Sequence, residues 1–255
     1  MTGVRDDLGL PVELPAEVRR VVSLVPSLTE SVAATAPGLL VGATDWCSHP
    51  AELDVTRVRG TKNPDLDAIT ALRPDLVLAN EEENRVPDLD ALRAAGIPVW
   101  VTVVRTLDDA LTSLRRMLGT ALSLDEPAWL AAARDAWAPH AAREERRAVI
   151  PVWRKPWMVA GRDTFAGDLL LHLGVRNLYA GHPDRYPKIP LADLLASGPD
   201  LVVLPDEPYR FTPGDGPGFF PGVPAALVSG RHLTWYGPSL AEAPAVLAGA
   251  LDRAR

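Results

Sequence analysis

The chain has 255 residues, 47% of them hydrophobic, with a formal net charge of -7 and a pI near 5.3. That is apolar material for one large core or two ordinary ones, and the acidic balance excludes the clustered Lys and Arg of a nucleic-acid surface or a polybasic membrane patch. The single cysteine, Cys47, excludes an internal disulfide, and no Cys/His array has zinc spacing.

The start, Met1-Thr-Gly-Val-Arg-Asp-Asp-Leu-Gly-Leu-Pro11, holds no apolar core of signal-peptide length. Nor does any run of about 18 apolar residues occur, so the chain is expected not to span a membrane. The expected location is the cytoplasm, or beyond it if a leader has been trimmed.

Val21-Val-Ser-Leu-Val25 reads as a strand, broken at Pro26-Ser27 and followed by helical periodicity. Ser27-Leu-Thr-Glu30 has the spacing of a capping box, which places Ser27 at the helix N-cap. Residues 39–44 read as a second strand and 66–72 as a helix. Pro74-Asp-Leu-Val-Leu-Ala79 is a third strand, Asp88 to Ala95 a helix stopped by Gly96, and Ile97 to Thr102 a fourth strand. Strands and helices alternating at this spacing imply a parallel sheet covered on both faces.

From Leu107 to Leu118, and again from Pro127 to roughly Arg147, the pattern is helical, with no strand signal for about forty residues. Alternation resumes with strands at 148–153 and 156–160, a helix from 164 to 173 ended by Gly174, and a helix at 191–196. Pro199-Asp-Leu-Val-Val-Leu204 then echoes Pro74-Asp-Leu-Val-Leu-Ala79, and an acidic loop ending in arginine follows each copy: Asn80-Glu-Glu-Glu-Asn-Arg85 and Pro205-Asp-Glu-Pro-Tyr-Arg210. The expected organisation is two Rossmann-like α/β lobes, residues 1–104 and 148–255, bridged by a helical segment, 105–147.

In open parallel sheets ligands bind beyond the carboxyl ends of the strands, and the unusual residues lie there. Trp46-Cys-Ser-His49 offers two metal-type side chains, too few for a site, and Cys47 reads as a small buried residue. Glu81 and Glu82 read either as a solvated loop or as acceptors for a ligand or for Arg154 and Arg210; Asp206 and Glu207 share that ambiguity. Trp153-Arg-Lys-Pro-Trp157 places two indoles and two cations at a broken strand, suited to stacking on a flat ligand or, alternatively, to plugging the base of the second lobe. The candidate ligand contacts are Trp46, Glu81, Glu82, Asn84, Trp153, Arg154, Trp157, Tyr209, Arg210 and Trp235, drawn from both lobes as an interlobe pocket requires. Nucleophile elbows, Walker loops and dinucleotide fingerprints are missing from the sequence. The enzyme alternative is a carboxylate-based hydrolase using Glu81/Glu82 and Asp206/Glu207.

Five segments together resemble the helical-backbone (class III) substrate-binding proteins that deliver cobalamin, haem or iron–siderophore chelates to ABC importers. They are Arg20 to Glu30, Asn63-Pro-Asp-Leu-Asp67, Leu72-Arg-Pro-Asp-Leu-Val77, Leu92-Arg-Ala-Ala-Gly-Ile-Pro98, and Gly161 with Leu173-Gly174. The resemblance covers nearly the whole chain and implies a non-enzymatic binder whose lobes are joined by a long rigid helix. It is greatest to the cobalamin-binding branch, where Trp46 matches an aromatic position while Asn80 and Thr61 stand where that branch carries tryptophans. It also implies a bound corrinoid, haem or ferric siderophore as ligand rather than as intrinsic cofactor. Asp67 and Glu242 are implied as acids that dock on an ABC permease if the chain is exported.

Overall fold

A computed structural model describes residues 3–138 and 145–254. The chain divides into two compact units: Met1–Val104, Asp108–Ala131 and Tyr236–Pro238 in the first, and Arg105–Leu107, Ala132–Trp235 and Ser239–Arg255 in the second. The expected middle segment, 105–147, is thus shared between both, and its residues 139–144 lie outside the described ones.

The first unit contains β1 (Val21–Ser23), α1 (Pro26–Thr35), β2 (Leu40–Ala43), β3 (Thr56–Arg57), α2 (Leu66–Ala71), β4 (Leu76–Asn80), α3 (Val86–Ala94) and β5 (Val99–Thr102). Its sheet is parallel, in the order β3-β2-β1-β4-β5. β1, β4 and β5 are buried at every position, as expected of strands covered on two faces. α1 is buried over six consecutive residues, Ser27 to Val32. Its hydroxyls tolerate this because Thr29 and Ser31 donate to the carbonyls of Val25 and Ser27, at 3.0 and 2.7 Å.

The capping box expected at Ser27 does not form. Pro26 occupies the first helical turn, where its fixed φ and missing N–H suit the position. The N-cap therefore moves back to Val25, which makes no side-chain cap, and Ser27 enters the helix.

Two helices follow, as the spacing expects, in place of the single long helix that the resemblance implies: α4 (Leu107–Arg116), which runs on through a wider turn at Met117–Ala121, and α5 (Ala128–Ala136). Ser123 between them adopts a left-handed conformation, φ 55°, which ends a helix rather than continuing one. Pro127 then stands immediately before α5.

The second unit contains β6 (Arg146–Val149), β7 (Pro151–Arg154), β8 (Trp157–Val159), α6 (Phe165–His172), β9 (Val175–Asn177), α7 (Leu191–Ala196), β10 (Leu201–Pro205), β11 (Ala225–Val228), α8 (Gly230–Thr234) and α9 (Ala243–Asp252). Its main sheet is also parallel, β9-β6-β10-β11, while β7 and β8 form a separate antiparallel hairpin. Arg146 and Arg147, expected at a helix end, begin β6 instead.

The Pro-Asp-Leu-Val echo has a physical counterpart. Asp75 Oδ2 accepts from the backbone amides of Arg19 and Arg20, both at 2.8 Å, and the Arg20 guanidinium donates to Leu72 O. Asp200 Oδ2 accepts from Arg147 N at 2.9 Å, and the Arg147 guanidinium donates to Gly198 O. Each unit thus clasps the starts of its two central strands together with a carboxylate and an arginine. This fixes the strand register on which the inward and outward faces depend. Among the described residues no helix is long and apolar enough to cross a membrane.

Candidate functional site

In the first unit, the loop after β4 is tied by two buried amides. Asn80 Nδ2 donates to Thr102 O and Oγ1 at 3.0 and 3.2 Å, and its Oδ1 accepts from Glu82 N and Glu83 N at 2.8 and 3.2 Å. Asn84, only 4% exposed, accepts from Asn80 N at 2.9 Å and donates to Thr61 O at 3.0 Å. Asn84 therefore braces the loop from inside, with its polar atoms turned to the backbone rather than toward a ligand.

This tight turn exposes Glu81 and leaves Glu82 and Glu83 half-buried. Burial pushes the Glu83 carboxyl pKa up, against the opposing pull of Lys62. Lys62 Nζ itself donates to the carbonyl of Glu82. Beside the loop, the fully enclosed Tyr236 hydroxyl meets Thr102 Oγ1 at 3.1 Å and also bonds Ser27; burial holds its pKa far above the ordinary tyrosine range.

Trp46 stands 67% exposed in the turn after β2. Leaving most of an indole in water forgoes about 3 kcal/mol of burial free energy. A Cβ at Gly60 would lie 3.2 Å from Trp46 Nε1 and 2.5 Å from Asn63 Oδ1, so glycine is what lets these groups approach. Cys47 is fully buried between the hydroxyls of Thr29 and Thr44, at 3.0 and 3.1 Å, and burial raises its thiol pKa. Asp67 is exposed in the first turn of α2, whose N-cap Asp65 accepts from Ala68 N at 3.0 Å.

In the second unit, the β7–β8 hairpin carries Trp153, 43% exposed, edge-on to Tyr209 with ring centroids 5.4 Å apart. Arg154 Nε donates to Tyr209 Oη at 2.9 Å and pairs with Asp215 Oδ1 at 3.0 Å, and Tyr209 Oη donates to Asp215 Oδ2 at 2.5 Å. The guanidinium also lies 5.0 Å from the Phe219 ring centre. This carboxylate–phenol–guanidinium triangle fixes Arg154 without enclosing it.

Trp157 serves mainly as packing: it stacks on Phe211 with an interplanar angle of 11° and meets Phe219 and Phe220 edge-on. The rest of its surface faces an open recess of about 510 Å³ between the hairpin turn, residues 154–157, and residues 188–190.

Trp235 is buried, 7% exposed, and its Nε1 donates to Glu207 Oε2 at 3.1 Å. It props up the loop after β10 instead of offering a stacking face. Asp206 Oδ1 accepts from Gly230 N at 2.6 Å, and a Cβ at Gly230 would lie 2.6 Å from Glu207 Cβ, so loop and helix meet at van der Waals contact. Both carboxylates of the hydrolase alternative in this unit thus hold structure. Arg210 is exposed. Glu242 pairs with His232 Nε2 at 3.0 Å and with Arg231 at 3.1 Å, and the hydrogen bond to His232 holds its pKa below the usual carboxylate range.

The structure therefore brings Trp153, Arg154 and Tyr209 together around Asp215, which sequence reasoning passed over. Nothing in the spacing of Tyr209 and Asp215 signals a partnership; the Gly214-Asp-Gly216 turn is the only local cue. Among the described residues no three His, Cys, Asp or Glu side chains converge as metal ligands.

Parallel sheets whose following loops hold tryptophans in water define a protein built to contact small ligands. The chain belongs to the periplasmic binding protein family, whose profile matches residues 21–207. Among its relatives is a vitamin B12-binding protein of Pectobacterium carotovorum, 27% identical over 202 residues, which cover 75% of this chain and 73% of that one. Among solved structures, the periplasmic vitamin B12 binding protein of Vibrio cholerae superposes with a TM-score of 0.74 at 20% identity, covering 93% of this chain and 98% of that one. A periplasmic heme binding protein from Pseudomonas aeruginosa gives 0.75 at 24% identity, covering 93% and 94%.

Proposed function

We propose that the chain binds a corrinoid or a similar flat metal chelate and passes it on chemically unchanged. The observation that carries this reading is the aromatic surface kept in water, Trp46 in the turn after β2 of the first unit and Trp153 beside Tyr209 on the β7–β8 hairpin of the second. Such faces stack on planar rings, and Arg154, fixed by Asp215, adds a cation of set direction. The vitamin B12-binding relative supports the corrinoid class. Glu81 and Glu82 are assigned polar contacts at the rim, and Asp67 and Glu242 the docking acids for an ABC permease that takes up the ligand.

A second reading, haem or a ferric siderophore, is favoured by the cations on the β7–β8 hairpin, which suit anionic ring substituents. Titration with cobalamin, haem and ferric siderophores, followed by quenching of the seven tryptophans, separates the two. One class binds with a Kd of about 1 μM or tighter, and Trp46→Ala or Trp153→Ala weakens it about tenfold. Silence across all three overturns the proposal. Turnover of a bound compound that Glu81→Gln or Glu207→Gln abolishes would establish the hydrolase instead.

A further inference from the structure

The chain has 26 Lys and Arg residues, of which only Lys62, Lys155 and Lys188 are lysine. Two of these three line the recess beside the β7–β8 hairpin. A face needing charge only for solubility would draw on arginine here as the chain does elsewhere. Lysine differs in presenting a compact charge with three rotatable donors on an aliphatic stem, so the stem lines an apolar wall while the ammonium meets an anion at the rim.

The recess is preformed. Ile189 N donates to Trp157 O and Val159 N to Pro187 O, both at 3.1 Å, which lays residues 187–189 along β8. Pro156 and Pro190 stiffen its two lips, and Trp157 is held from behind by Phe211. Its third cation, Arg154, is already matched by Asp215. No acidic residue lines the recess, and among the described residues neither Lys155 nor Lys188 pairs with a carboxylate. In a chain of net charge -7, two unmatched ammonium groups above a wall of indole, proline and isoleucine form a local exception.

We propose that this recess seats the carboxylate- or phosphate-bearing arm of an otherwise apolar, flat ligand, with Lys155 and Lys188 as its charge partners and Trp157 as its wall. The inference rests on the chelate reading for which molecule carries the arm; the recess itself is testable without any chelate.

Three lysines make the test legible. Reductive ¹³C-methylation, which keeps the charge, gives three side-chain signals in the full-length protein. Titration with 2-naphthoate, 2-naphthyl phosphate and the uncharged 2-naphthamide compares one ring with three substituents. One or both anions shift the Lys155 and Lys188 signals saturably and leave Lys62 in place, and whichever binds tighter names the arm. The amide binds at least about tenfold more weakly, a loss of about 1.4 kcal/mol. The double variant Lys155→Met/Lys188→Met loses the same factor, with its thermal midpoint unchanged because both side chains are exposed. Equal binding of acid and amide, or three signals drifting together without saturation, overturns the inference. Chelate binding with silent naphthalenes sinks the recess and leaves the proposed function standing; the reverse result sinks the function and leaves the recess.

Discussion

The loops 80–85 and 205–210 leave corresponding strands as acidic stretches that each end in arginine, yet they are secured by opposite means. The first closes on two buried amides, Asn80 and Asn84, whose partners are almost all backbone. The second is held by side chains: Asp206 on α8, Glu207 on Trp235, and Tyr209 in the triangle with Arg154 and Asp215. Amides that satisfy buried backbone groups make a loop rigid, and their loss leaves orphaned donors and acceptors. Charged and phenolic groups at a half-exposed surface contribute less to stability and remain available to a ligand. The first loop is thus the more rigid scaffold, and the second the more adaptable contact surface.

The contrast predicts unequal costs. Asn84→Ala strands Asn80 N and Thr61 O in a buried site and lowers unfolding free energy by roughly 2–4 kcal/mol, measured by urea denaturation. Tyr209→Phe removes one hydroxyl from a half-buried triangle. It costs roughly 1 kcal/mol, while chelate affinity falls about fivefold as Arg154 loses its alignment. If the two variants proved equally destabilising, the rigid-versus-adaptable distinction would fail.

The smallest effect is a pH slope at Glu83. Its pKa is raised in the folded loop, chiefly by burial, so the native state holds this proton more tightly than the unfolded chain does. The resulting stability is fully present below the ordinary value of 4.5 and is lost as pH rises through the raised folded-state value. Glu83→Gln flattens that slope, seen as a smaller change in urea midpoint between pH of about 4 and about 8.

Much of the architecture was legible because burial leaves a periodic trace. The apolar runs at Val21, Leu76, Val99 and Leu201 gave their strands, and Gly96 and Gly174, at φ 78° and 76°, stop their helices as expected. A local signal failed where a neighbouring residue overrode it, as Pro26 displaced Ser27 from the cap; the break at Ser123, by contrast, falls between the two helical stretches that the spacing gives. The start of β6 could not be read from local spacing, because Arg147 is drawn into it by Asp200, a partner 53 residues away.

At the candidate site, sequence position named loops but not which of their side chains turn outward. Trp46 and Trp153 are exposed while Trp235 is buried, although the spacing expected all three just after strands; Trp153 lies within β7 and Trp235 directly follows α8. What separates Trp235 is its bond to Glu207 and the close approach at Gly230, both tertiary. Likewise the Asn80 carboxamide, which accepts from the Glu82 and Glu83 amides, half-buries those two and leaves Glu81 exposed.

The paired strand clasps bear on how such a chain reaches its fold. Arg20 and Asp75 stand 55 positions apart, Arg147 and Asp200 53. Chain-closure entropy depends on the logarithm of that span, so the two closures differ by less than about 0.1 kcal/mol. They share no residue. The halves therefore face matched but separate entropic hurdles, and on a nascent chain the earlier clasp can lock while the later one is still being synthesised.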